Sequence, residues 1–448
     1  MRAFLASSIG VVCATALALP LTAHASPAEA PAPVSARPPA DLSGSTQSLP
    51  MTAVGGGTLR RQSAPGPERG VAARDVRPFS LVGVVWDDPA THFHGRVQVR
   101  TRAAGTGAWS AWRDLQTHSD APDAGSSERR TGRVRGGTAP LWVGASDGVQ
   151  ARVRTGAGAT APLPTGLRLE LVDPGPPPTG RALTPGPPGT GPTDPSPPET
   201  DPDDSVFPDI GFPEIELPSS VETPGPEPAA LEPAVLEEEA VLPGAAPHAA
   251  PRPRIYTRAG WGADEGLRES KFSYTRTVKA AFVHHSATGN DYTCAQVPSV
   301  LRAIYRYHVK SSGWRDFGYN FAVDKCGNIY EGRAGGVARA VMGAHTLGFN
   351  TNTMGVVVLG SYGSSSPSKA ATRGLAQLTA WKLGLFGRNP KATTTLVSAG
   401  SNKYRKGAKV RLKVISGHRD GFVTSCPGDR LYSKLGTVRA TAARLQGR

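Results

Sequence analysis

Two histidines and a cysteine in the carboxyl-terminal half carry the side chains of a metal centre. They lie in Val283-His284-His285-Ser286, Gly417-His418-Arg419-Asp420 and Ser425-Cys426-Pro427-Gly428. Neutral imidazoles and a thiolate suit zinc, and a catalytic zinc takes three protein ligands and keeps a fourth position open. His418 and Cys426 are eight positions apart, close enough for one short loop to bring both to one ion. His284 then has to come from a separate strand. His285 is next in line on that strand, so its side chain points to the other face.

Elements of both periods are needed to position these groups. Residues 280–284 read as a strand with His284 at its carboxyl end. In 295–309, Val297, Leu301, Ile304 and His308 recur at helical spacing. Residues 319–323, 328–330 and 354–359 read as strands. Residues 368–385 read as a helix with Leu375, Leu378 and Leu385 on one stripe. A last strand, 410–415, delivers His418, and 431–445 closes the chain as a helix. The expectation is an α/β catalytic domain, 251–448, with a mixed central sheet flanked by helices.

The residues ahead of it divide by composition. Arg2, an apolar run over 9–21 and Ala23-His24-Ala25 give a secretory signal peptide, 1–25. Residues 26–76 are rich in Ala, Pro, Gly and Ser and read as a disordered lead. Over 77–173, short runs alternate apolar and polar residues, as in Val97, Val99 and Thr101 against Gln98, Arg100 and Arg102. This pattern predicts a small all-β sandwich module. Its Trp86, Trp109, Trp112 and Trp142 suit either a core or a sugar-stacking, wall-binding platform. An acidic Pro-rich linker, 174–250, follows. The boundary at Pro251 predicts that 251–448 folds alone.

Export changes how the cysteines read. After signal cleavage Cys294, Cys326 and Cys426 remain, an odd number for an oxidising compartment. A Cys294–Cys326 disulfide leaves Cys426 for a metal; pairing Cys426 with either one leaves no thiolate ligand. The formal charge of +14 is also divided: from Pro251 on, 31 Lys/Arg face 9 Asp/Glu, so this half carries +22. Such a half suits anionic wall polymers or is simply a solvated basic surface. No groove-reading motif supports nucleic acid as a partner, and no later segment supports membrane insertion.

Residues of about 254–444 together resemble the zinc-dependent N-acetylmuramoyl-L-alanine amidases that include phage T7 lysozyme and the peptidoglycan recognition proteins. Besides the three metal motifs, the resemblance rests on Trp261-Gly262-Ala263, Gly313-Trp314-Arg315-Asp316-Phe317-Gly318-Tyr319-Asn320-Phe321, Tyr330-Glu331-Gly332-Arg333, Gly343-Ala344-His345, Asn350-Thr351-Asn352 and Gly355-Val356. With its β-module and Pro-rich linker the chain looks like the exported actinobacterial members. The resemblance implies zinc on His284, His418 and Cys426, and hydrolysis of the bond between N-acetylmuramic acid and L-alanine in peptidoglycan. It implies Tyr319 and Thr424 as catalytic groups, with Thr424 standing where T7-type enzymes carry lysine. It implies His345, Asn350 and Asn352 as muropeptide contacts, and a secreted, wall-associated protein; Arg333 suits either a stem-peptide carboxylate or a salt bridge within the domain. Members that bind without cutting typically lose the cysteine ligand, and Cys426 is present here.

Overall fold

The computed structural model describes residues 44–53, 68–91, 93, 95–117, 120–155, 162–176, 248 and 250–448. The expected signal peptide and all but the ends of the expected linker lie outside them.

The amino-terminal module contains β1 (Ser45–Pro50), β2 (Glu68–Trp86), β3 (Gly95–Ala103), β4 (Arg113–Leu115), β5 (Leu141–Thr155) and β6 (Arg168–Asp173). With two shorter strands they form an eight-stranded antiparallel sheet, ordered β1-β6-β2-β5-β3-β4 along its main path. Val97 pairs with Val153 and Val99 with Ala151, and all four are buried, as the alternation requires. A single turn of helix, α1 (Ser127–Arg130), lies in the connection between β4 and β5, capped by the Ser126 hydroxyl.

The module starts earlier than expected, because β1 and the first half of β2 fall within 26–76. β1 lies at the sheet edge and pairs only with β6, so Ser45-Thr46-Gln47-Ser48 has no apolar face to show. Register shifts at Val71/Arg74 and Asp75/Phe79 interrupt the two-residue period of β2. Of the tryptophans, Trp86 and Trp142 are core. Trp109 is 37% exposed, and the Arg100 guanidinium lies 5.2 Å from its ring and 5.3 Å from that of Trp112.

The carboxyl-terminal sheet is mixed. It contains β7 (Ile255–Tyr256), β8 (Ala280–His285), β9 (Phe321–Val323), β10 (Ile329–Glu331), β11 (Thr353–Val358) and β12 (Ile415–Gly417), in the order β12-β8-β11-β9-β10-β7. The four strands from β12 to β9 run parallel. β8 and β11 are buried throughout because helices cover both faces. Val356 and Val358 pack with α3 (Lys369–Leu385) and α4 (Leu435–Leu445), and Val357 packs with α2 (Val297–Arg306). The expected strand 410–415 is in fact two. Lys409–Lys413, alternately buried and exposed, pairs with Thr393–Val397 in a separate sheet, and the fully buried β12 joins the main one. The expected closing helix is likewise divided, into Asp429–Tyr432 and α4.

The two modules share a core. Leu81, Val85, Trp142 and Val172 cluster with Val297, Val300, Leu301 and Ile304 of α2. The Tyr307 hydroxyl donates to Thr138 O at 3.0 Å. Its ring lies over Gly83, where a Cβ would come within 2.5 Å of it. A cut at Pro251 would therefore expose apolar side chains of α2 that pack on the amino-terminal module. No helix among the described residues is long and apolar enough to cross a membrane.

Candidate metal centre

Adjacent parallel strands deliver the two histidines. β8 places His284 one residue from its carboxyl end, and β12 runs directly into His418, with Val283 in register with Gly417. Val283 packs toward α3, so the two-residue period turns His284 toward α2 and the amino-terminal module. Cys426 comes from the loop that follows. Its Sγ accepts the His285 N–H at 3.4 Å and lies 3.8 Å from His284 Nδ1. One ligand atom from each of His284, His418 and Cys426 lies within 4.8 Å of the others, and all three residues are buried.

The surroundings suit a zinc ion. Thr346 Oγ1 lies 3.2 Å from His284 Nε2, and this contact directs the lone pair of Nδ1 toward the centre when Nε2 carries the proton. Burial pushes the Cys426 thiol well above its ordinary range, with the Asp120 carboxylate adding to the effect; a divalent cation reverses that balance and holds a thiolate. Two imidazoles and one such sulfur are a catalytic zinc donor set.

Tyr319 is buried and its hydroxyl donates to Asp120 Oδ2. Burial, then the Asp120 charge, keeps the phenol protonated by holding its pKa far above 10. Thr424 Oγ1 accepts the Cys426 N–H at 3.2 Å and so fixes the ligand turn. His345 is fully buried beside Thr346, with Nδ1 2.9 Å from Oγ1. Burial and the neighbouring His284 drive its pKa well below the ordinary value. Asn350 Oδ1 accepts the N–H groups of His345 and Thr346 at 2.7 and 3.0 Å. His345 and Asn350 thus brace Thr346 against His284. Asn352 does not join them. It precedes Thr353, which pairs with Ala280 at the far end of β8 from His284, four residues or about 13 Å along the strand.

Arg333 reaches a carboxylate, and that carboxylate belongs to this chain. Its Nη1 and Nη2 donate to Glu128 Oε2 and Oε1 at 2.9 and 3.1 Å, and both side chains are buried. Removing one partner from such a pair costs about 3–5 kcal/mol. Cys294 and Cys326 form a disulfide, and Cys426 is the free cysteine among the described residues.

Sequence reasoning missed three acids in the β4–β5 connection: Asp120, Asp123 and Glu128. Their one signal is a run of carboxylates in a Gly/Ser-rich loop of a chain whose other half is basic.

Residues 274–429 match the family described as N-acetylmuramoyl-L-alanine amidase, and residues 27–177 match the one described as Rv3811 N-terminal galactose-binding domain-like. Peptidoglycan-recognition protein SC2 of Drosophila melanogaster is 32% identical over 183 residues, covering 41% of this chain and 85% of that protein. The N-acetylmuramoyl-L-alanine amidase of Homo sapiens is 32% identical over 190 residues, 41% of this chain and 28% of that protein. Among solved structures, peptidoglycan recognition protein-LE in complex with tracheal cytotoxin is 28% identical, with a TM-score of 0.32 over 41% of this chain and 92% of that one.

Proposed function

Because this chain belongs to the family of N-acetylmuramoyl-L-alanine amidases and peptidoglycan-recognition proteins, we propose that it is a zinc amidase cleaving the bond between N-acetylmuramic acid and L-alanine in peptidoglycan. The observation that carries this reading is the complete, buried set of His284, His418 and Cys426, with one ligand atom of each within 4.8 Å of the others. A protein that only bound the wall would not need all three.

Zinc on these residues would polarise the scissile carbonyl and make a water nucleophilic near neutral pH. The Tyr319 hydroxyl, kept protonated by burial, donates to the oxygen on which charge develops. Such a donor, preset in a dry site, stabilises the transition state more than the ground state. Thr424, its oxygen held by the Cys426 N–H, is assigned the second donor. It brings no positive charge, unlike a lysine there. His345 is neutral and, with Asn350, positions Thr346 and through it His284. Asn350 Nδ2 and Arg333 line the groove that receives the muropeptide. We read the protein as secreted and wall-associated, its basic half lying against anionic wall polymers.

The test is mass spectrometry of purified peptidoglycan after prolonged digestion by the full chain. Free stem peptides beginning with L-alanine are expected, lost with a chelator and restored by zinc. Cleavage at another bond, or products indifferent to the chelator, would overturn the assignment.

A further inference from the structure

A segment of the amino-terminal module reaches the metal centre. Asp120 enters the metal centre with its side chain only 4% exposed. Its Oδ1 lies 3.3 Å from His284 Nδ1 and 3.2 Å from His418 Nδ1, while Oδ2 accepts the Tyr319 hydroxyl. The same carboxylate thus touches both imidazole ligands and the proposed oxyanion donor. Ala121 O and Asp123 Oδ1 accept from Asn350 Nδ2 at 3.0 and 2.8 Å, and Asp123 Oδ1 also accepts the Gly348 N–H at 2.6 Å. Glu128 accepts both arms of Arg333 and the Arg315 N–H at 2.9 Å. Farther along, Arg135 N–H donates to Ser312 O at 3.0 Å, and Gly313 lies against the Arg133 carbonyl with no room for a Cβ.

We propose that Asp120 is a fourth protein ligand that closes the metal centre, and that the segment Asp120–Glu128 fills the groove as an internal mimic of an anionic muropeptide, making the full chain latent. The proposal rests on the zinc-amidase reading. A site with four protein ligands is a closed one, whereas hydrolysis needs the fourth position free. The spacing of the segment's carboxylates supports mimicry. One sits at the metal, one on the groove asparagine and one on the buried arginine, so Tyr319, Asn350 and Arg333 are all already engaged. The shared apolar core with α2 keeps the segment tethered beside the groove after it lifts out. Latency is therefore a matter of the fraction of chains in which the segment is displaced.

The experiment uses the full chain loaded with cobalt(II), whose visible spectrum reports its ligands, and compares wild type with Asp120→Ala. Acetohydroxamate, a small metal-binding anion, is titrated into each. If open chains are a tenth or less of the total, the anion perturbs the variant at an at least about tenfold lower concentration, and kcat/KM on a soluble muropeptide rises by the same factor. Glu128→Lys sets a cation against Arg333 and expels the segment from its other end. The same change is expected there, which covers the case in which Asp120→Ala fails to fold. Equal anion titrations in wild type and every folded variant would overturn the proposal, as would failure of all of them to take up cobalt. A variant that opens to the anion yet, like wild type, cleaves no muropeptide upholds the occupied centre and sinks the amidase reading instead.

Discussion

Asp123→Asn tests the energetics of the docked segment through a single charge. Asp123 is wholly buried, and burial raises its pKa from 3.8 to about 6 despite the hydrogen bonds from Gly348 and Asn350; the nearby Glu128 raises it further. A folded value above the unfolded one means that the fold binds this proton more tightly than the open chain does. The resulting stability is fully present below about pH 3.8 and is lost as pH rises through about 6. At 1.36 kcal/mol per pKa unit the whole loss is about 3 kcal/mol, of which about 2 falls between roughly pH 4.5 and 7.5. Asparagine keeps an oxygen for the Gly348 and Asn350 donors and never ionises. Stability from urea denaturation of the full chain at several pH values should show Asp123→Asn gaining on wild type by about 2 kcal/mol across that window. Comparing the two proteins cancels the other titrating groups. A difference that stays flat with pH, or one that shrinks as pH rises, would refute the reasoning.

Three further changes probe the metal centre and the disulfide. Cys426→Ser removes a ligand, so chelator competition should find its zinc held far more weakly than in wild type, and hydrolysis should fall more than about hundredfold, beyond the usual effect of disturbing a ligand's partner. Thr346→Val deletes the hydroxyl 3.2 Å from His284 Nε2 and should weaken zinc binding about 10- to 100-fold in chelator competition. Replacing both Cys294 and Cys326 by alanine opens a loop of sequence separation 32. Chain entropy puts the cost near 4 kcal/mol, to be read from thermal unfolding under non-reducing conditions.

Chemistry and local period were legible in the chain alone. His284, His418 and Cys426 declared a zinc donor set because few other residue combinations hold that ion. The alternations at Val97–Thr101 and the helical recurrence of Val297, Leu301 and Ile304 announced their elements because each buries one face. What the sequence hid was decided by contacts far apart along it. β1 is polar because an edge strand need bury little, so it read as disorder. Strand 410–415 broke in two because its halves serve different sheets, which no local pattern records. His345 and Asn350 are legible as polar residue types, but that both brace Thr346, and that Asn350 also holds the Asp123 carboxylate, comes only from the fold. Asp120 lies 164 residues before His284 and 298 before His418, in a loop with no periodicity at all. Only the packing of one module on the other brings its carboxylate to both imidazoles, because a charge-assisted contact at that separation depends on tertiary geometry and leaves no local trace.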